Sequence, residues 1–385
     1  METSVQNGQV IFTDGEDRFT VTLHRTLRLP DNGNTHALPP SMGHFPIKRV
    51  ADYADKVPKA WLEHGGVFFP MWQREAMWLQ FGSSRRPFAC KVAAGKINAV
   101  SGKEWKKELA PSDTDDSGDP RQDYIVAPPQ PWLDGFNSGN GVIKQFVAMP
   151  LGQGYTVEGQ VTGKEEFGGI QIMAVPPKEG LLVPKPRRSG GILRSTGMKS
   201  APHLFSSDSA GWGGTYSSSS PVIGSCAMDA APAAAYGDTE GTFTEISDSG
   251  DVQAREVFTK ASEMGLAAGG SMVQKIYPDP HGLDAWAVKA SGRMFIHIVN
   301  SEMYEQITGE KPPKSPITAH DYEMHGYPWF KVWDEEAGDV SPSKTLKGVK
   351  TVAEKDKEHG FTGQQNDDPL KQKNVLGNIV MDGSW

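Results

Sequence analysis

The stretch from Gly141 to Pro176 constrains the fold of this chain more than any other, because it reads as three short strands in series. In Tyr155-Thr156-Val157-Glu158-Gly159-Gln160-Val161, Tyr155, Val157 and Val161 fall on one side and Thr156, Glu158 and Gln160 on the other. That period of two predicts a half-buried strand. The flanking runs, Val142 to Met149 and Ile170 to Val175, are apolar on both faces, as suits strands covered on both sides. A helix over 157–167 is the competing reading. It is rejected because Gly159 and Gly163 would each cost about 1 kcal/mol against alanine.

The rest of the chain extends the same picture. Residues 9–29 alternate from Phe19 to Leu29, and Asp14-Gly15 supplies turn chemistry, which predicts a hairpin. Residues 47–63 carry helical spacing through Val50, Tyr53, Val57 and Trp61. A largely buried helix is expected over 70–81, with Pro70 at its first position and Gly82 at its end. One or two strands joined at Gly95 are predicted for 87–100, and another at Tyr124 to Ala127. A helical stripe covers 251–264, strands follow at 271–277 and 293–299, and Ser301 caps a short helix ending at Gly309. With 43 glycines and 28 prolines, the composition favours turns and strands over a helical bundle.

The expected fold is therefore α+β and β-rich, mainly an antiparallel sheet or sandwich with a few short helices and a long low-complexity insertion. Residues 1–180 form the β-rich N-terminal part. Residues 181–250, dominated by Ser, Gly, Pro and Ala, make an insertion or linker that lacks the apolar residues to offset the entropy of ordering. Residues 251–340 form an α+β C-terminal part that packs on the first, building one core across the insertion. Residues 341–385 read as a polar, flexible tail, with one weak helix near Thr345–Lys355.

Function classes narrow mostly by exclusion. A net charge of −8 argues against nucleic-acid binding through a global basic face. No run approaches the roughly 20 apolar residues that cross a bilayer, and the N-terminus lacks the basic start and apolar core of a secretory signal. A cytoplasmic protein with reduced cysteines is expected, and neither a cofactor nor a metal is indicated. The Gly-Lys pairs lack the P-loop pattern, and Gly152-Gln153-Gly154 lacks the third glycine of a dinucleotide loop. His320 and His325 stand five apart, whereas a helical zinc motif needs four. Asp113, Asp115 and Ser117 match the start of a calcium loop, but its closing position holds Tyr124 where glutamate is required. Cys90 lies in an apolar run and reads as a small core residue. His297 shares a strand face with Phe295 and Val299 and reads as a satisfied core histidine.

Several stretches resemble a widely distributed family of uncharacterised cytosolic proteins from bacteria and fungi. They are GGVFFPMWQREAMWLQF (65–81), KVAAGKINAVSG (91–102), QPWLDG (130–135), KQFVAMPLGQGYTVEGQVTG (144–163) and QKIYPDPHG (274–282). The resemblance implies no activity.

The first functional expectation is a soluble, non-enzymatic structural or interaction protein that self-associates into a homo-oligomer, through sheet edges or exposed Trp and Tyr segments. Residues 181–250 could dock a protein partner. The alternative is a hydrolase or carbohydrate-active enzyme, with Trp72, Trp132 and Trp286 lining a pocket and Asp134 or Glu158 as general acid.

Overall fold

In a computed structural model, the described residues are 1–111, 121–180, 263–315 and 338–360. The calcium-loop residues Asp113, Asp115 and Ser117, the histidine pair at 320 and 325, the 181–250 insertion and residues 251–262 of the expected helix lie outside them.

One sheet carries the fold. Strands β1 (Glu2–Gln6), β2 (Gln9–Asp14) and β3 (Asp17–Thr26) form an antiparallel meander, with Gly15 at φ +59 in the second turn. The short strands β4 (Thr35–His36) and β5 (Lys48–Arg49) precede β6 (Val67–Met71), β7 (Ala76–Ser83), β8 (Phe88–Ala94) and β9 (Ile97–Asn98). Next come β10 (Ile125–Ala127), β11 (Trp132–Leu133), β12 (Gly135–Gly139), β13 (Val142–Pro150), β14 (Ile170–Val175), β15 (Glu263–Val273) and β16 (Gly292–Asn300). The main path runs β1-β2-β3-β7-β13-β15-β16-β14-β8-β10, and six shorter strands attach beside it. Pairing is antiparallel except where β4 meets β15 and β6 meets β16. Strands β15 and β16 lie between β13 and β14, so the two parts of the chain build one sheet and share one core.

The sheet folds over onto itself. Phe19 in β3 stacks on Phe81 in β7 and also on Phe88 in β8, although β3 and β8 are far apart in strand order. A Cβ on Gly292, at the start of β16, would come within 2.9 Å of Phe12 and 3.0 Å of Met1, so the meander is pressed against that strand. Inward residues of β2, β3, β6, β7, β8, β13, β14, β15 and β16 form the main cluster.

Among the described residues, five short α-helices cap this sheet: α1 (Lys59–His64), α2 (Val157–Thr162), α3 (Ser301–Thr308), α4 (Lys344–Gly348) and α5 (Val352–Glu358). The helical spacing of 47–63 is realised only in part, as a 3-10 turn at Val50–Tyr53 followed by α1.

Four expectations are corrected. The helix over 70–81 is instead the end of β6, a tight turn and β7. Met77, Leu79 and Phe81 join the main core while Ala76 lies in another cluster, so the run is apolar all round because its strand is covered on both faces. The strand over Tyr155–Val161 is instead α2. The Thr156 side chain accepts from Gly159 N–H, and Gly163 closes the helix in the left-handed region at φ +77. Gly159 is tolerated because a Cβ there would meet Glu165 at 2.7 Å, a close approach that favours glycine over helix propensity. Glu263 and Met264 open β15 rather than closing a helix. Finally, residues 341–360 of the expected tail carry two short helices, α4 and α5, where one weak helix is expected. Leu346 and Val352 are fully buried there, and a capping box of Thr351 and Glu354 starts α5.

Candidate functional site

Of the five residues singled out from sequence, Trp132 and Asp134 come together. Strand β11 brings Trp132 beside Gln80 of β7, and the chain then turns into β12, leaving Asp134 buried behind it. Leu38, Gln130, Trp132, Gln274, Lys275 and Tyr277 line a small open cleft with a cavity volume of only about 10 Å³. That is below the usual size of a small-molecule site, roughly 300–1,000 Å³. Gln130 is fully used within the wall. Its amide donates to the Trp132 and Lys275 carbonyls, and its oxygen accepts from Tyr277 N–H.

Behind the wall, Asp134 and Gln274 form a reciprocal pair. The Gln274 Nε2 donates to Asp134 Oδ2 at 2.5 Å, and Asp134 N–H donates back to Gln274 Oε1 at 3.0 Å. Burial pushes the Asp134 carboxyl up to about 7, and the Gln274 amide opposes this only in part. The group is therefore poised between acid and carboxylate at neutral pH.

Glu158 is used differently. From α2 it reaches the following loop and accepts from the N–H groups of Glu166 (2.9 Å), Phe167 (2.8 Å) and Gly168 (2.8 Å). Gly95, at φ +53, lies against it so closely that a Cβ would approach within 2.2 Å. Burial raises its pKa, with the three amides pulling the other way. Glu165 returns the brace, accepting from Gly152, Gly154 and Thr156 on the loop before α2. Glu158 shares no residue with the Trp132 cleft and acts as a structural tie.

The other two tryptophans line no common pocket with Trp132. Trp286 is buried in a second cluster, where its indole N–H and the Tyr124 hydroxyl both donate to Asp279 Oδ2, at 2.8 and 2.6 Å. Trp72 donates its indole N–H to the Pro313 carbonyl at 2.8 Å. It belongs to the β6–β7 turn, where Arg74 takes a positive φ of 67 and two adjacent charges are buried with distant partners. Arg74 makes a two-pronged bond to Asp356 of α5 at 2.7 and 2.6 Å, and the Tyr155 hydroxyl completes it at 2.9 Å. Glu75 takes Arg25 at 2.7 Å and the Trp72 N–H at 2.9 Å. Burial raises the Glu75 pKa against the pull of Arg25.

His297 is a core histidine, stacked on Trp61 and Phe295 with Nε2 3.0 Å from the Gly65 carbonyl. Cys90 is a free, buried thiol.

One group of side chains escapes sequence reasoning altogether. His24 of β3 has Nδ1 2.7 Å from Ser41 Oγ and Nε2 2.8 Å from Gln80 Oε1. The three residues are far apart in sequence, and no local spacing signals their meeting. Pairing of β3 with β7 places His24 opposite Trp78, and a bridge to His44 brings in the Ser41 loop.

Among the described residues no helix is long and apolar enough to cross a membrane, and no group of three or more His, Cys, Asp or Glu side chains could hold a metal ion. No family model, curated protein or solved structure matches the chain.

Proposed function

We propose that this protein is a structural or interaction protein that self-associates by pairing the outer edge of β1 with β1 of a second copy. The open edge of β1 carries the reading. Among the described strands, β1 pairs only with β2, so one side of its backbone has no sheet partner. The β1–β2 turn has Asn7 at φ +51 and Gly8 at φ +72, the two positive values of a type I′ hairpin. In such a turn the flanking Gln6 and Gln9 form a hydrogen-bonded pair. The alternation of antiparallel ladders then points the backbone groups of Thr3 and Val5 outward.

Glu-Thr-Ser-Val-Gln has none of the usual edge protection. It contains no proline or lysine, and its one charge sits at the strand end. Two copies meeting antiparallel about Ser4 would place Thr3 opposite Val5 and Glu2 opposite Gln6, so no like charges face each other. Glu158, Trp72 and Trp286, each held by its own hydrogen bonds, support a scaffold role. A cytoplasmic location belongs to the same reading, with Cys90 as a reduced core thiol.

Size-exclusion chromatography with light scattering on wild type and Val5→Pro tests this. The wild type should elute as a dimer or larger assembly. The variant, which loses one outward N–H but no β1–β2 ladder bond, should elute as a monomer. A monomeric wild type at every accessible concentration would overturn the proposal.

A specific observation favours a second reading, a hydrolase using Asp134 as general acid: its pKa of about 7 and its place behind the Trp132 cleft. Turnover of a glycoside panel that Asp134→Asn abolishes would favour it.

A further inference from the structure

The group around His24 has a defined protonation pattern. The Gln80 Oε1 can only accept, so His24 Nε2 carries the ring proton and the neutral Nδ1 turns its lone pair to the Ser41 hydroxyl. Burial pushes the His24 pKa down to about 4, against the bond from Gln80, so the ring is neutral at pH 7. Trp78 lies flat on the ring, centroids 3.9 Å apart and planes at 8°, and His44 meets it edge-on.

We propose that Ser41, His24 and Gln80 form a nucleophilic centre that accepts the acyl group of small carboxylic esters. This goes beyond the assembly reading and does not depend on it. The order is that of an activated hydroxyl, a base and a group that orients the base, at hydrogen-bond distance throughout. Ser41 is half-buried, Gly43 and His44 beside it are exposed, and a Cβ on Gly43 would meet nothing within 4 Å. The hydroxyl is thus open to an incoming ester.

Backbone bonds also hold the loop. Arg25 N–H to Gly43 O, Met42 N–H to Arg25 O and Phe45 N–H to Leu23 O already fasten it to β3. The Trp78 Nε1 is buried with no acceptor among the described residues, an unused donor on the residue stacked against the base.

In the reaction, Ser41 Oγ attacks the ester carbonyl carbon while its proton passes to His24 Nδ1. The carbonyl oxygen gains the negative charge, and Gly43 N–H, which donates to Ser41 Oγ at 3.2 Å in the resting structure, is a backbone donor beside the reacting atoms. The carbon–oxygen bond to the alcohol then breaks, and the alcohol leaves with the proton from His24. Water repeats the sequence on the acyl-serine, releasing the acid and restoring the hydroxyl. Gln80 fixes the tautomer but carries no charge to stabilise the imidazolium, so turnover is expected to be slow and the acyl-serine to accumulate.

The test treats the full chain with a fluorophosphonate probe, whose phosphonyl group would transfer to Ser41 Oγ with loss of fluoride. Peptide mass mapping should place one adduct on Ser41, absent from Ser41→Ala. Labelling should slow about 100-fold in His24→Asn, as loss of a general base implies, and about tenfold in Gln80→Ala. Failure of folded wild type to label at Ser41, under conditions that saturate a serine hydrolase standard, would overturn the proposal. So would unchanged Ser41 labelling rates in the two variants. Wild-type mapping decides by itself, so a misfolded His24 variant does not weaken the test.

Discussion

Asp134 and Glu158 are both buried carboxylates beside aromatic residues, yet the molecule uses them in opposite ways. Glu158 accepts three backbone N–H groups and ties a loop to α2. Asp134 has one side-chain donor, the Gln274 amide, and sits near its titration point at neutral pH. The difference teaches that burial alone does not mark a functional acid. The number of donors around the carboxylate decides whether its charge is structural or available.

The most severe way to sharpen this comparison is to remove a carboxylate more fully paired than either. Asp356 is completely buried and takes two bonds from Arg74 and one from Tyr155. Asp356→Ala strands the Arg74 charge and should lower unfolding stability by about 3–5 kcal/mol, read from urea titration. A loss below about 1 kcal/mol would show that α5 does not lock onto the β6–β7 turn.

Next in size is the pH response of Asp134. Its folded pKa of about 7 lies above the ordinary carboxylate value, so the folded state holds the proton longer than the unfolded chain. Stability is then highest below about pH 4 for this group and falls as pH rises to about 7, by at most about 4 kcal/mol. Glu263, also raised to about 7 by burial, adds a slope of the same sign. Asp134→Asn should remove its own share, flattening the profile measured by thermal unfolding between pH 4 and 7. An unchanged profile would place the Asp134 pKa near its usual range.

Glu158→Ala leaves three amides without their acceptor, and a loss of about 1–3 kcal/mol is expected. Faster hydrogen exchange at residues 166–168 should accompany it. If the variant is as stable as wild type, the contrast with Asp134 collapses. The smallest effect on stability belongs to Ser4→Lys on the outer strand, within about 0.5 kcal/mol, although its effect on assembly should be large.

How legible was this in the sequence? Strands covered on both faces, such as Val142–Pro150 and Ile170–Val175, were clear because long apolar runs bounded by glycine and proline have few other uses. The joined core was also foreseeable, since neither part shows an obvious stop to its strand series. Two regions fold against their sequence patterns, in opposite directions. Over 70–81 the apolar density that signals a buried helix belongs to a central strand, and only a residue with positive φ at Arg74 reveals the turn. Over 155–161 the alternating pattern and the glycine helix penalty point to a strand, while Thr156 and Gly163 cap a helix. That penalty applies to open helices and not to one that needs glycine for packing. Trp132 and Asp134 met because they are two residues apart. The His24, Ser41 and Gln80 group depends on strand register, which no local pattern encodes.

The most direct test of the central claim is sedimentation velocity on wild type and Ser4→Lys across a range of concentrations. Pairing about Ser4 predicts a wild-type dimer or larger species. It also predicts a Ser4→Lys monomer of unchanged melting temperature, because the two-fold sets lysine against lysine. A wild-type monomer throughout, or a Ser4→Lys variant that still assembles, would contradict self-association through β1.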